Sequence, residues 1–546
     1  MIRVIQGLAA LALVCGMPLT AQQPEEHGGH AEQLGRVQFP TSCRGAARSG
    51  VERGVAYLHS FWYEKAAEAF DRAAAADSSC AMAWWGKAMS LLHPLWTPPS
   101  PADARAALAA LAAIDRGLAT TTTTRERDYL RAIRAYYADY DRTDPRTRLV
   151  RYAQAMDTVR RRSPKDPEAA IFYALALIAL GQASATDTTF TYQKRADSIL
   201  EPAFRREPRH PGLAHYLIHA NDVPQLAQHG LYASRRYAEI APDVPHAQHM
   251  PSHIFTRLGL WDDAIASNAR SAAAARAYEV ERGMTAMWDQ RAHALDYLAY
   301  AYLQQGRDSA AQRVVNEAAA APAGYPAGSL THEYAFAAIP ARFALERGDW
   351  TAAVRLALRP APEWPAAEAI THFARAIGAA RTSDTALARQ EIVVLAQIES
   401  TLVAQGGAQT YWAGQVAIQR LAASAWVMLA LGDTASAVLH AGQAADREDG
   451  TQKHPVTPGP VLPARELEAD LLLLVGRPAD AARAYAATLA LSPNRARSLF
   501  GLARSAELAG DSVTAQAKYR EFLILMAKAD GGRPEIAVSR QAVAKR

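Results

Sequence analysis

Cysteine is scarce in this 546-residue chain, with 3 copies. That count excludes a disulfide-dense scaffold and a cysteine-rich metal cluster. Beyond the N-terminus no uninterrupted apolar run reaches membrane-spanning length, so no membrane span is expected. An excess of one charge is lacking too: 59 basic residues against 54 acidic ones leave a formal +5. Spread over a surface of this size, that is no nucleic-acid footprint. The sequence has no Gly-rich phosphate loop, no Gly-x-Ser-x-Gly, no His-Glu-x-x-His and no Cys–His nucleophile arrangement. Strand-like alternation is missing as well. What is plentiful is apolar: 50% of residues are hydrophobic, which excludes a wholly disordered chain.

Met1-Ile2-Arg3 is followed by an apolar run from Val4 to Leu13, then Pro18-Leu19-Thr20-Ala21 and a polar stretch from Gln22. A basic start, a short apolar middle and a small residue before polar sequence describe a secretory signal peptide over residues 1–21, cleaved after Ala21. A periplasmic or secreted protein is therefore expected. Cys15 would leave with the signal. Cys43 and Cys80 would remain in an oxidising compartment, either as a disulfide or as two buried thiols. Residues 22–42 are polar with Gly and His and read as a disordered tail. Residues 531–546 read as a flexible tail.

Between them, short helical patterns alternate with brief turns. A unit recurs: Gly259-Leu260-Trp261-Asp262-Asp263-Ala264, then Gly348-Asp349-Trp350-Thr351-Ala352-Ala353, Gly432-Asp433-Thr434-Ala435-Ser436-Ala437 and Gly476-Arg477-Pro478-Ala479-Asp480-Ala481, with Gly306 and Gly510 starting others. Each Gly closes one helix, and the Ala begins the packed face of the next. One unit runs on through Tyr485, Thr488 and Pro493. This series resembles the tetratricopeptide repeat, a family of helix–turn–helix units of about 34 residues. The resemblance covers residues 43–530. It implies an all-α superhelical solenoid of about ten to twelve antiparallel helix pairs, with a concave groove that binds a protein or peptide. Several units depart from the pattern: Ser78 stands where the closing Pro would be, Pro94 to Pro101 insert a loop, and Thr451–Pro463 is a long, Pro-rich irregular stretch. That last stretch is read as a surface loop rather than a cover for the groove.

Histidine is unevenly distributed. His215 and His219 are four residues apart, as are His249 and His253, and a spacing of four puts both rings of a pair on one helical face. The two pairs are separated by 34 residues, one repeat period. His246 belongs to the second segment. Aligning the closing Gly306 with Gly259 maps His246 onto His293, His249 onto Asp296 and His253 onto Tyr300; Arg342 follows one unit later. The resemblance places these side chains on the concave wall.

Two functions fit that wall. In the first, an exported scaffold binds a protein segment, peptide or small ligand through His246, His293, Asp296, Tyr300 and Arg342 together with the other imidazoles. In the second, His215, His219, His249 and His253 converge on one metal ion, in a metal-binding protein or a metal-dependent hydrolase. Neutral imidazoles suit Zn, Cu or Ni rather than Ca or Mg. Asp222, Glu239 and Asp243 lie near enough in sequence to accept hydrogen bonds from ligating rings.

Overall fold

The computed structural model describes residues 32–96, 98–114, 122–359 and 363–544, so the expected signal peptide lies outside the described residues. Helices begin where the sequence supplies acceptors for their first N–H groups. Asp144 accepts from Thr147, Asp384 from Leu387 and Asp511 from Thr514. They end where the expected glycines stand. Gly259 adopts φ +66, which an L side chain disfavours, and a Cβ there would also meet the Pro493 carbonyl.

Each helix packs on its sequence neighbours. Thr385–Gln405 packs on Gln409–Ala430, which packs in turn on Thr434–Asp449. Close approach is possible because the touching faces carry small residues such as Ala388, Ala423, Ala437 and Ala441, all buried. Among the described residues the result is an all-α solenoid of antiparallel helix pairs. Among the described residues the β-structure is one parallel bridge, Met287–Trp288 with Gly324–Tyr325.

Both tails differ from expectation. The end of the N-terminal tail is fastened down. Phe39 is fully buried and stacks on Trp85, and Arg36 N–H donates to the Arg209 carbonyl. At the other end, Pro534–Ala544 is a helix with Ile536 and Ala542 buried, and Arg533 pairs with Asp308 at 2.6 Å. A short amphipathic segment gives little sequence signal, but an array needs an end cap for its last apolar face. Cys43 and Cys80 form a disulfide, with Cα atoms 4.8 Å apart.

The C-terminal pairs also return to touch the middle ones. Trp261 Nε1 donates to the Asn494 carbonyl at 2.8 Å, and Lys528 pairs with Asp262. The Pro-rich segment does not stay on the surface. Val456, Thr457, Gly459, Val461 and Leu462 are buried, so 451–463 lies over the concave wall. Its backbone is held by a guanidinium: Arg342 donates to the Pro460 and Gly459 carbonyls and to Thr457 Oγ1 at 2.7–2.9 Å. Gln182 fastens the other covering loop by donating to the Leu95 carbonyl at 2.8 Å.

Candidate metal centre

Three neighbouring helical segments supply the site. Pro211–Asn221 carries His215 and His219. Pro245–His249 and Pro251–Arg257 carry His246, His249 and His253. Met250 between them keeps helical torsions, so the two read as one helix interrupted at Pro251. Asp289–Gln304 carries His293. All six imidazoles are buried, His215 completely. The repeat spacing does bring the two pairs side by side, as the sequence predicts.

Their grouping differs from the expected single sphere of His215, His219, His249 and His253. Ring nitrogens gather instead as His215, His219 and His246, and as His249, His253 and His293, each set within 4.8 Å. The reason is the pitch of the array. A pair on one helix is closer to the single imidazole arriving from the following helix than to the whole pair one layer away. His246 and His293, assigned to ligand capture, thus complete the two sets.

Hydrogen bonds on the far side of His249, His253 and His215 fix the tautomers of those three rings. His249 Nδ1 lies 2.7 Å from Asn268 Oδ1. Asn268 Nδ2 donates to the Ala264 carbonyl, which leaves its oxygen facing the ring. His253 Nδ1 lies 2.8 Å from Asp222 Oδ2. Both Nδ1 atoms therefore donate, and in neutral rings both Nε2 atoms present lone pairs. Those two Nε2 atoms face each other at 2.9 Å. In the other set, His215 Nδ1 donates to the His59 carbonyl at 2.6 Å, and its bare Nε2 lies 3.1 Å from His219 Nε2. His246 Nε2 and His293 Nδ1 are buried without a hydrogen-bond partner among the described residues.

Electrostatics keep these rings neutral. Burial lowers the pKa of all six, and for His249 the neighbouring His293 and His253 lower it further. His246 is lowered to about 3. For His253 burial outweighs the opposing pull of Asp222, whose carboxylate already pairs with Arg257 at 2.9 Å and Lys453 at 2.7 Å. Asp222 thus takes the accepting role suggested for it; Glu239 and Asp243 do not reach the rings among the contacts of the site.

Aromatic residues and two loops close the pocket. Phe61 packs on His215, His219 and His246 with centroids 4.4–5.6 Å away, from a backbone at φ +52. A non-glycine residue held in that region is strained and marks a position the surroundings dictate. Tyr297 packs on His249, His253 and His293, and its hydroxyl donates to the Thr457 carbonyl at 3.0 Å. Leu95 and Trp96 from one loop and His454 to Val456 from the other line the remaining side.

The other predicted ligand residues are engaged internally. Asp296 and Arg342 form a buried pair at 2.9 Å, and Arg495 donates to the Tyr300 hydroxyl at 3.0 Å. Charged groups at these depths need partners, and the returning C-terminal helices and the loop provide them. Sequence spacing missed His59, Phe61, Asn268, Lys453 and Gln290, whose Oε1 lies 3.1 Å from His246 Nδ1. Only Lys453-His454 carried a signal, as polar side chains in a Pro-rich loop.

A further group, His59, Glu168 and His210, has the residue types of a metal site. Its hydrogen bonding is complete without one. His59 Nε2 donates to Glu168 at 2.8 Å while Nδ1 accepts from Tyr216; His210 Nε2 donates at 2.9 Å while Nδ1 accepts from Leu213 N–H. It is a structural clamp.

No protein-family model and no curated protein matches the chain. Among solved structures it is similar to a human IFIT1 dimer with PPP-AAAA, at 12% identity and a TM-score of 0.37, covering 89% of this chain and 92% of that one. It is also similar to the APC/C hetero-tetramer Cut9–Hcn1, at 12% identity and a TM-score of 0.29, covering 92% and 96%.

Proposed function

We propose that this protein is a metal-binding protein whose solenoid encloses a centre of neutral imidazoles. The observation that carries the reading is the facing of His249 Nε2 and His253 Nε2 at 2.9 Å, with both Nδ1 protons committed elsewhere. Two lone pairs at that distance repel. A cation between them turns the repulsion into two bonds. Nitrogens bound tetrahedrally to one ion at about 2.0–2.1 Å stand about 3.3–3.4 Å apart, so a few tenths of an ångström of opening suffices. Asp222 and Asn268 then serve as the outer partners that orient ligating imidazoles.

The donor set is all nitrogen. It fits Cu, Zn or Ni and excludes Ca and Mg, which take oxygen. A hydrolase would need a carboxylate base beside an accessible metal. Here Asp222 is engaged by His253, Arg257 and Lys453, and Asp296 by Arg342. Capture of a protein or peptide in the groove draws support from the helical-repeat architecture. At the histidine wall, however, the groove is filled by the chain's own 451–463 loop. Export to the periplasm or beyond is part of the proposal, supported by the Cys43–Cys80 disulfide.

Elemental analysis of the purified protein, with the His249→Ala/His253→Ala variant as control, is the test. Stoichiometric copper, zinc or nickel in the parent, reduced in the variant, is expected. Parent protein that is metal-free as purified and takes up none of the three on addition would sink the reading.

A further inference from the structure

The two imidazole sets are copies of one another. His215 and His219 map onto His249 and His253 by the repeat period, and His246 maps onto His293 by the spacing of the closing glycines. Each set has the same construction. A pair spaced by four residues brings its Nε2 atoms to 2.9–3.1 Å. A third ring from the next helix adds a buried nitrogen that has no partner, His246 Nε2 in one set and His293 Nδ1 in the other. Each set has its own aromatic wall, Phe61 for the first and Tyr297 for the second. At the next equivalent place stand Asp296 and Tyr300, which Arg342 and Arg495 engage, so the series ends there.

Charge restricts what two such sites can hold together. Neither set contains a carboxylate. The nearest one, Asp222, is outnumbered by Arg257 and Lys453. Two divalent ions would add four positive charges to a buried, neutral-to-positive region. Two monovalent ions would add half of that, and the desolvation cost of an ion rises steeply with its charge. Copper(I) combines a single charge with affinity for imidazole and needs no more than three ligands.

Resting on the metal reading above, we propose that the centre is double: His215, His219 and His246 hold one copper(I) ion, and His249, His253 and His293 hold a second.

Anaerobic titration of the full mature chain with copper(I), against a chromogenic copper(I) chelator, tests this. Two equivalents are expected for the parent. His215→Ala/His219→Ala and His249→Ala/His253→Ala should each retain one. His246→Gln and His293→Gln, milder in volume, should each weaken one equivalent and spare the other. X-ray absorption on the loaded parent requires no variant and should show three nitrogen ligands per copper. A single equivalent, abolished by either double variant and surrounded by four nitrogens, would refute the double centre and leave the metal reading standing. Two zinc ions with no copper(I) uptake would refute the choice of ion. No uptake of copper(I), zinc or nickel would overturn both readings.

Discussion

Two clusters in this molecule contain almost the same chemistry and do opposite things with it. In one, Glu168 sits between His59 and His210, and all four ring nitrogens have complementary partners. In the other, the Nδ1 atoms of His249 and His253 have acceptors and their Nε2 atoms face each other, while His293 Nδ1 has no hydrogen-bond partner among the described residues. Both are buried. Residue type and depth therefore do not separate a clamp from the proposed ligand set. What separates them is whether the hydrogen-bond arithmetic closes without an ion, because a buried polar atom left unpaired is costly.

The sharpest way to break the comparison is Glu168→Ala. Two buried imidazole N–H groups lose their acceptor, and the N-terminal third loses a crosslink between three helices. A stability loss of about 3–5 kcal/mol is expected from chemical denaturation, with metal stoichiometry unchanged. A carboxylate near the other cluster gives the opposite pH signature. Burial raises the Glu168 pKa, but His59 and His210 outweigh it and hold the group below its ordinary value. Its contribution is therefore present above the ordinary carboxylate pKa and lost on acidification. Asp289, on the helix that carries His293, is pushed up to about 7 by burial, with Glu64 adding to the effect. The folded chain keeps that proton while the unfolded chain has released it. Stability should then fall as pH rises from about 4 to about 7. Asp289→Asn should flatten that slope, recovering on the order of 2–4 kcal/mol at neutral pH. Thermal unfolding at a series of pH values reads both; an unchanged slope in Asp289→Asn would show the carboxyl ionised in the fold.

How far the sequence leads can be seen residue by residue. The helix pairs were legible because Gly259, Gly348, Gly432 and Gly476 repeat with a fixed neighbourhood. Each meets a local demand for positive φ. The pairing of His215 with His219 and of His249 with His253 was legible for the same reason, since a spacing of four is a local fact about a helix. What spacing could not tell was how layers share ligands. Whether His246 joins the first set or lines a groove depends on helix pitch, not on sequence distance. Nor could it show that 451–463 lies inward, because that depends on Arg342 finding the Gly459 and Pro460 carbonyls 117 and 118 residues away. His59 enters through its backbone carbonyl, which no side-chain pattern announces. The C-terminal helix escaped because its apolar stripe is short: Ile536, Ser539 and Ala542 are its buried residues.

Smaller changes probe the outer partners. Asp222→Asn removes the charge that orients His253 and leaves Arg257 and Lys453 facing a neutral amide. Loss of such a partner typically weakens metal affinity 10–100-fold, or about 1.4–2.7 kcal/mol. Competition with a chelator measures it, and an unchanged affinity would mean that His253 is oriented by packing alone.

The smallest effect is the most discriminating. His249→Gln, examined in metal-free protein, replaces one of two facing lone pairs by a group that can donate. If the 2.9 Å contact is a strained pair awaiting a cation, its removal costs the metal-free fold little. Loss of ring packing against Tyr297 and His293 is offset by relief of the repulsion. A change within about 1 kcal/mol is expected, against about 3–5 for Glu168→Ala. The same variant should lose the share of metal-dependent stabilisation that comes from its own site, about 4 kcal/mol at a thousandfold excess over Kd. A large loss in the metal-free state would place His249 with His59, as a ring whose hydrogen bonds already hold the fold together.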